Sequence, residues 1–285
     1  MAQEFIQFKR QRELGEILSA TFKFLRENYR IFFKLLFRIA APVFILLFAA
    51  LTYYNYSTQE MPLQNTIFNQ RGDFIISFGV LILALLVYYA MLHGIVYNLI
   101  KSYIKNKGHI DEVEVAAGAK ADFGKLIGFG AISWLMIFAG TILFVIPGIY
   151  LSVPLSITAA ILVFRNKGIS EGISESFNLI KDNWWMSFIT ILCIWLIVYV
   201  ISFVFQLPFV IYMMVKAFTV VQQGSAASGD SFDWVYLALS ILGSLVQYIL
   251  YSIIPICLAF LYFHLNEKKN FTGTYETIEN LGKHD

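Results

Sequence analysis

The sequence predicts an all-α polytopic membrane protein: six transmembrane helices in three parallel repeats, each an amphipathic interfacial helix followed by a transmembrane hairpin. Three observations carry this. The 285 residues are 58% hydrophobic and 14% charged, with a mean hydropathy of +0.67, where a soluble domain would carry about 25% charged residues. Apolar runs approaching or exceeding the ~20 residues needed to cross a bilayer recur along the chain. And one phrase is written twice, EILSATFKFLRENYR at 16–30 and EGISESFNLIKDNWW at 171–185.

The spans are expected at Ile31–Tyr54, Phe74–Ile104, Leu126–Ile146, Ile149–Phe164, Ser187–Val215 and Phe232–Leu265. Pro147-Gly148, a strong turn dipeptide, is expected to join the third to the fourth. The fourth, of about 16 residues, gives only ~24 Å of helix and contains Pro154, so it is expected to kink or stop inside the membrane. The second, fifth and sixth are long and must tilt or protrude. Pro208 and Pro255 are expected bends.

The charges set the orientation. Of 21 Lys and Arg, all but Arg71 and Lys216 lie in 1–38, 101–125, 165–183 and 266–285. This bias places those segments, and both termini, in the cytoplasm. Residues 1–30 lack the apolar core of a cleavable signal peptide, so the first span is expected to be retained. Cys193 and Cys257 both sit in apolar runs and read as small buried hydrophobes, without metal-ligand spacing.

In the repeated phrase, Leu14, Leu18, Phe22, Leu25 and Tyr29 match Ile169, Ile173, Phe177, Ile180 and Trp184 in spacing. Each set forms one apolar stripe on a helix, expected to lie flat on the inner membrane surface. A third, weaker copy shares the motif base-x-Asn/Asp-aromatic: Arg26 to Tyr29, Lys120 to Phe123 and Lys181 to Trp184. In it the base meets lipid phosphates, Asn28, Asp122 or Asn183 caps the following helix, and the aromatic sits at headgroup depth. Gly108 and Gly168, each after Asn-Lys, are suited to left-handed caps. The chain thus reads as one integral membrane domain over 1–285, with units at about 11–108, 109–168 and 169–268 and a short cytoplasmic tail at 269–285.

The stretch Ile146-Pro147-Gly148-Ile149-Tyr150-Leu151-Ser152-Val153, the span to Phe164, and Ile169 to Trp185 together resemble the bacterial membrane-domain family attached to some glycerophosphodiester phosphodiesterases. Stand-alone bacterial membrane proteins are similar. The resemblance is clearest over 140–190. It implies six helices with amphipathic connectors and a bacterial inner-membrane location. It does not imply the hydrolase, which belongs to a separate barrel domain for which this chain has no room. The family pattern has an acidic residue after the fourth span and a basic one in the next helix. Here Arg165 and Glu175 stand there with signs reversed, read either as a swapped ion pair or as two independent solvated charges.

None of the 19 acidic residues falls in mid-span, which counts against a proton- or ion-coupled pump. Lys34 and Arg38 enter the first span. With Arg26 and Lys181 they are candidates for lipid headgroups, and snorkelling is the plainer reading of Lys34 and Arg38. His93 and His264 are isolated and read as hydrogen-bonded structural histidines. Gln206 and Gln247 are the most embedded amides, expected to bond between helices, as are Ser133, Thr141, Ser240 and Ser244. Gly124 and Gly128 form a small-xxx-small pair for close packing. Gly118 to Lys125 falls short of a phosphate loop, and Gly128 to Ser133 of a dinucleotide fingerprint.

The residues therefore point first to a non-enzymatic scaffold or accessory subunit of an envelope complex, contacting lipid or a protein partner through cytoplasmic amphipathic helices. Neither a cofactor nor nucleic acid is expected. The alternative is a lipid- or small-molecule-handling transporter or channel. An embedded enzyme would need a convergent acid, base, nucleophile or metal set, which the sequence does not offer.

Overall fold

A computed structural model describes residues 5–59, 71–223 and 233–281. Among them the secondary structure is helical throughout: α1 (Leu14–Gln59), α2 (Arg71–Lys105), α3 (Glu112–Leu143), α4 (Val145–Phe164), α5 (Ile169–Ile180), a 3-10 turn Lys181–Asn183, α6 (Trp184–Gln223), α7 (Trp234–Leu250), α8 (Ile253–Asn270) and α9 (Thr272–Leu281). Six helical segments are long and apolar enough to cross a membrane, as a multi-pass membrane protein requires. Two compact units partition the chain. One comprises Met1–Phe44, Leu85–Ile194 and Ser252–Asp285, the other Ile45–Ala84 and Trp195–Tyr251.

The helix boundaries correct several expectations. The amphipathic stretch at 14–30 is not a separate helix. It forms the first turns of α1, a single helix of 46 residues, about 69 Å long. No proline or glycine interrupts it between Gly15 and Pro42. Asn28 is consequently not a cap: it is buried inside α1 and donates from Nδ2 to Phe24 O (3.0 Å). Asp122 likewise lies within α3, where it accepts from Asn98 Nδ2 (3.0 Å).

The link between the third and fourth spans is also displaced. The break falls at Phe144, whose backbone is extended (φ −160°, ψ 146°), and Pro147-Gly148 lies in the first turn of α4. Proline is welcome there, because the first N–H groups of a helix have no intrahelical acceptor. Starting at Val145 gives α4 20 residues and about 30 Å, more than the sequence implied, and it runs on through Pro154. α6 likewise continues through Pro208. The sixth span instead splits at Tyr251-Ser252 into α7 and α8. Pro255 explains the break: its ring and missing N–H oppose a helical bond to the carbonyl four residues back, that of Tyr251.

The ends of α2 and α4 share a left-handed residue two positions past the helix, Lys107 (φ 49°) and Asn166 (φ 51°), and differ at the glycine. Gly108 adopts a left-handed conformation (φ 105°) and its N–H bonds to Tyr103 O (2.9 Å). After α4, Asn166 takes the left-handed position (φ 51°), and Gly168 is extended and starts α5.

The core of the first unit is aromatic. Phe8 stacks on Phe260 at 4.3 Å, and Phe24 meets Tyr103 edge-on at 5.2 Å. The segment before α1 is tied in by Ile6 N–H to Tyr103 Oη (3.0 Å) and Arg12 N–H to His264 Nδ1 (2.9 Å). The two copies of the phrase bury equivalent positions 155 residues apart: Ile17 and Gly172, Thr21 and Ser176, Phe24 and Leu179. The buried face thus lies beside the apolar stripe, whose members are mostly half-buried. Small residues let neighbouring backbones approach on that face. A Cβ built on Gly172 would lie 2.6 Å from Leu162 Cδ2.

Candidate functional site

Lys34, Arg38, Arg165 and Glu175 take part in intramolecular ion pairs. Lys34 Nζ lies 2.6 Å from Glu112 Oε1 and Arg38 Nη1 3.3 Å from Glu112 Oε2. Both cations remain well exposed, so the carboxylate at the start of α3 anchors two side chains of α1 that still reach the surface. Lys105 and Glu114 pair at 2.7 Å across the α2–α3 connection. Arg26 is exposed on α1, and Lys181 is exposed at the 3-10 turn.

Arg165 and Glu175 form an ion pair, and Lys167 Nζ approaches the other oxygen of the same carboxylate at 2.7 Å. Glu175 is mostly shielded, with 11% of its side chain exposed. Arg165→Glu is expected to lower stability by about 1–3 kcal/mol, the scale of a charge-assisted bond. Adding Glu175→Arg should restore part of that loss, with Lys167 now facing a like charge. Thermal unfolding of the two single variants and the double variant in detergent checks this: strictly additive losses would mean that the pair contributes nothing.

The embedded histidines and glutamines are each engaged. His93 Nδ1 lies 2.7 Å from Tyr89 O, one turn earlier. His264 accepts the Arg12 backbone N–H, which assigns the ring proton to Nε2. Gln206 Nε2 donates to Gln247 Oε1 (2.9 Å), and Gln247 donates on to Tyr251 Oη. This is the interhelical amide pairing expected between α6 and α7. Thr141 instead bonds within its own helix, to Ile137 O (2.8 Å). Ser133 Oγ is buried with no partner among the described residues. Of the glycine pair only Gly128 meets a neighbour, Ile169 Cδ1, at 3.3 Å from a built Cβ. Asn183 accepts from Lys268 Nζ (2.6 Å) rather than serving only its own chain segment.

Two carboxylates escaped the sequence reading. Glu267 is only 3% exposed. It accepts from Gly273 N (2.6 Å), Thr274 N (3.0 Å), Thr274 Oγ1 (2.7 Å) and Thr272 Oγ1 (3.3 Å). It therefore caps α9 from the end of α8, where the helix dipole favours an anion. The sequence signal is the polar Thr-Gly-Thr at 272–274, which supplies closely spaced donors. Asp233 caps α7 through Tyr236 N (2.9 Å), accepts from Tyr212 Oη (2.8 Å) and pairs with Lys216.

The Lys216 ammonium, with the Tyr236 N–H, holds the Asp233 carboxyl down at about 2. A depressed carboxylate contributes stability that is present above its unfolded value, near 4, and lost as pH falls through the folded value. Asp233→Asn, which keeps the cap acceptor but not the charge, should therefore flatten the decline in melting temperature between pH about 4 and 2. An unchanged acid profile would exclude this contribution.

An open apolar cleft of about 800 Å³ runs along Ile146, Ile149, Tyr150, Trp184, Trp185 and Phe188, with Lys181 and Asp182 at its rim. Tyr150 and Trp184 stack at 5.8 Å, and Trp184 Nε1 donates to Tyr150 O (3.3 Å). Among the described residues no three His, Cys, Asp or Glu come together as a metal site.

No family model, curated protein or solved structure matches the chain.

Proposed function

We propose that this chain is a non-enzymatic multi-pass protein of a bacterial inner membrane, acting as a scaffold or accessory subunit of an envelope complex. In this reading the termini are cytoplasmic and three like-oriented units present amphipathic helices to lipid or a protein partner. The observation that supports it best is α9. Its anchor is built: Glu267 caps it, and Lys9 pairs with Glu276. Yet it exposes Tyr275 and Ile278, neighbours three residues apart on one helical face, next to the exposed Phe271 that precedes it. A helix held firmly by one side while showing apolar residues on another is arranged to be docked against.

A photo-crosslinking residue at Tyr275 tests this in native membranes. Adducts to one protein at fixed stoichiometry, lost in Ile278→Glu, are expected. Absence of any protein adduct, with native mass spectrometry showing the chain alone, would overturn the scaffold reading.

The cleft beside Lys181 favours a second reading, lipid handling: an apolar floor with both Lys181 and Asp182 at its rim matches an amphiphile whose headgroup phosphate meets the lysine. Lys34 and Arg38 already share Glu112. A retained anionic lipid should therefore be lost in Lys181→Ala and kept in the Lys34→Ala/Arg38→Ala variant, as native mass spectrometry would show.

A further inference from the structure

We propose that the α3–α4 hairpin is re-entrant: it enters and leaves the membrane on the face that carries residues 101–125 and 165–183, and its apolar tip ends inside the bilayer. Length and composition allow α3 and α4 to cross. The contacts at the two ends of α4 oppose it.

At its C-terminal end, Arg165 pairs with Glu175 of α5. Toward its N-terminal end, in its second turn, the Tyr150 carbonyl accepts from Nε1 of Trp184, the first residue of α6, at 3.3 Å. Between them, Leu162 and Thr158 face Gly172. α4 therefore lies lengthwise and antiparallel against α5 and the 3-10 turn. These partners do not belong in hydrocarbon. Glu171, Lys181 and Asp182 are exposed along them, and Asn178 and Asn183 are bonded by Lys269 and Lys268. A lipid-exposed charge in the bilayer core costs several kcal/mol, so this stretch lies at the interface over its whole length. α4 must lie near it too. A crossing helix would separate its ends by about 30 Å in depth. Here positions 150 and 165 of the α4 stretch are both within side-chain reach of the segment 175–184.

The tip agrees. Residues 126–164 contain no charged side chain. Ile142, Phe144, Val145 and Ile146 are all more than 60% exposed at the turn. A loop emerging into water on the far side would offer polar groups. This one offers apolar side chains; its extended residue, Phe144, bonds its N–H to Gly140 O (3.1 Å), and Pro147 has no N–H to satisfy, which reduces the unpaired backbone at the tip. The charge distribution is unaffected, since 144–148 contributes nothing to either face. Four crossings remain: α1, α2, α6 and the α7–α8 pair.

The test uses the full chain in phospholipid vesicles, in a Cys193→Ala/Cys257→Ala background. Single cysteines replace Ile146, Lys181 and Lys216, and a membrane-impermeant maleimide is applied to each face separately. Lys216→Cys marks the far face and Lys181→Cys the near one. Complete loss of labelling of Ile146→Cys from the far face is expected, under conditions that fully modify Lys216→Cys. Labelling of Ile146→Cys from the far face at a rate comparable to Lys216→Cys would overturn the proposal. A nitroxide at position 146 gives a second readout. Relaxation by oxygen, or by a nickel chelate on the near face, supports re-entry, whereas relaxation by the chelate on the far face overturns it.

Discussion

Glu267→Ala is expected to release α9 and to lower stability by about 2–5 kcal/mol. The buried carboxylate takes four hydrogen bonds from the first turn of α9. Two of these come from backbone N–H groups that have no intrahelical acceptor of their own. Alanine would remove the carboxylate that the buried Gly273 N–H donates to. It would also remove the anion from the positive end of the helix. Hydrogen exchange should show amides of 272–281 losing protection before the aromatic core around Phe260 does. Glu267→Gln, which keeps one acceptor oxygen, should lose less. Unchanged protection in the alanine variant would mean that α9 is held by its other contacts alone, such as Lys9 with Glu276.

Gly148→Leu is expected to pry open the α3–α4 hairpin at its tip, costing about 1–3 kcal/mol or more through overpacking. Even the first carbon of a side chain would lie 2.2 Å from Thr141 Oγ1, and 3.1 and 3.2 Å from Thr141 backbone N and Cα. The hydroxyl could rotate away, whereas the backbone of α3 has to move. Gly148→Ala should therefore be rescued only in part by Thr141→Ala. Gly124, on the same hairpin, has nothing within 4 Å of a built Cβ. Gly124→Ala should be neutral or stabilising by up to about 1 kcal/mol from helix propensity. Melting temperatures of the four variants in one detergent check the contrast. Equal losses at 124 and 148 would show that close approach at the tip does not matter.

Much of the helical class was legible from composition and apolar run length, because bilayer thickness imposes a minimum length and charges are costly inside it. The register of the repeated phrase was legible too: the same offset of 155 residues relates Ile17 to Gly172 and Thr21 to Ser176, buried in both copies. The candidate residues were found as single letters, but their partners were not. Nothing near Lys34 in sequence announces Glu112, 78 residues away. Neither does Lys268 announce Asn183, 85 residues away.

Local pattern alone determined that this chain is helical and apolar over long runs, where its charges cluster, and that a phrase recurs before two of those runs. Tertiary structure decided where helices break, which face of each is buried, and which way α4 lies. Pro147-Gly148 shows why. Its local chemistry suits a turn and also suits the first turn of a helix, and the choice between them was made by Thr141 and Gly140, against which Gly148 packs. Capping by Asn28 was similarly open in local terms, until an unbroken α1 left its amide to bond Phe24 O. Hydrophobicity and charge are properties of each residue, and can be summed along a chain. Packing and ion pairing are properties of two surfaces, and exist only once the chain has brought them together.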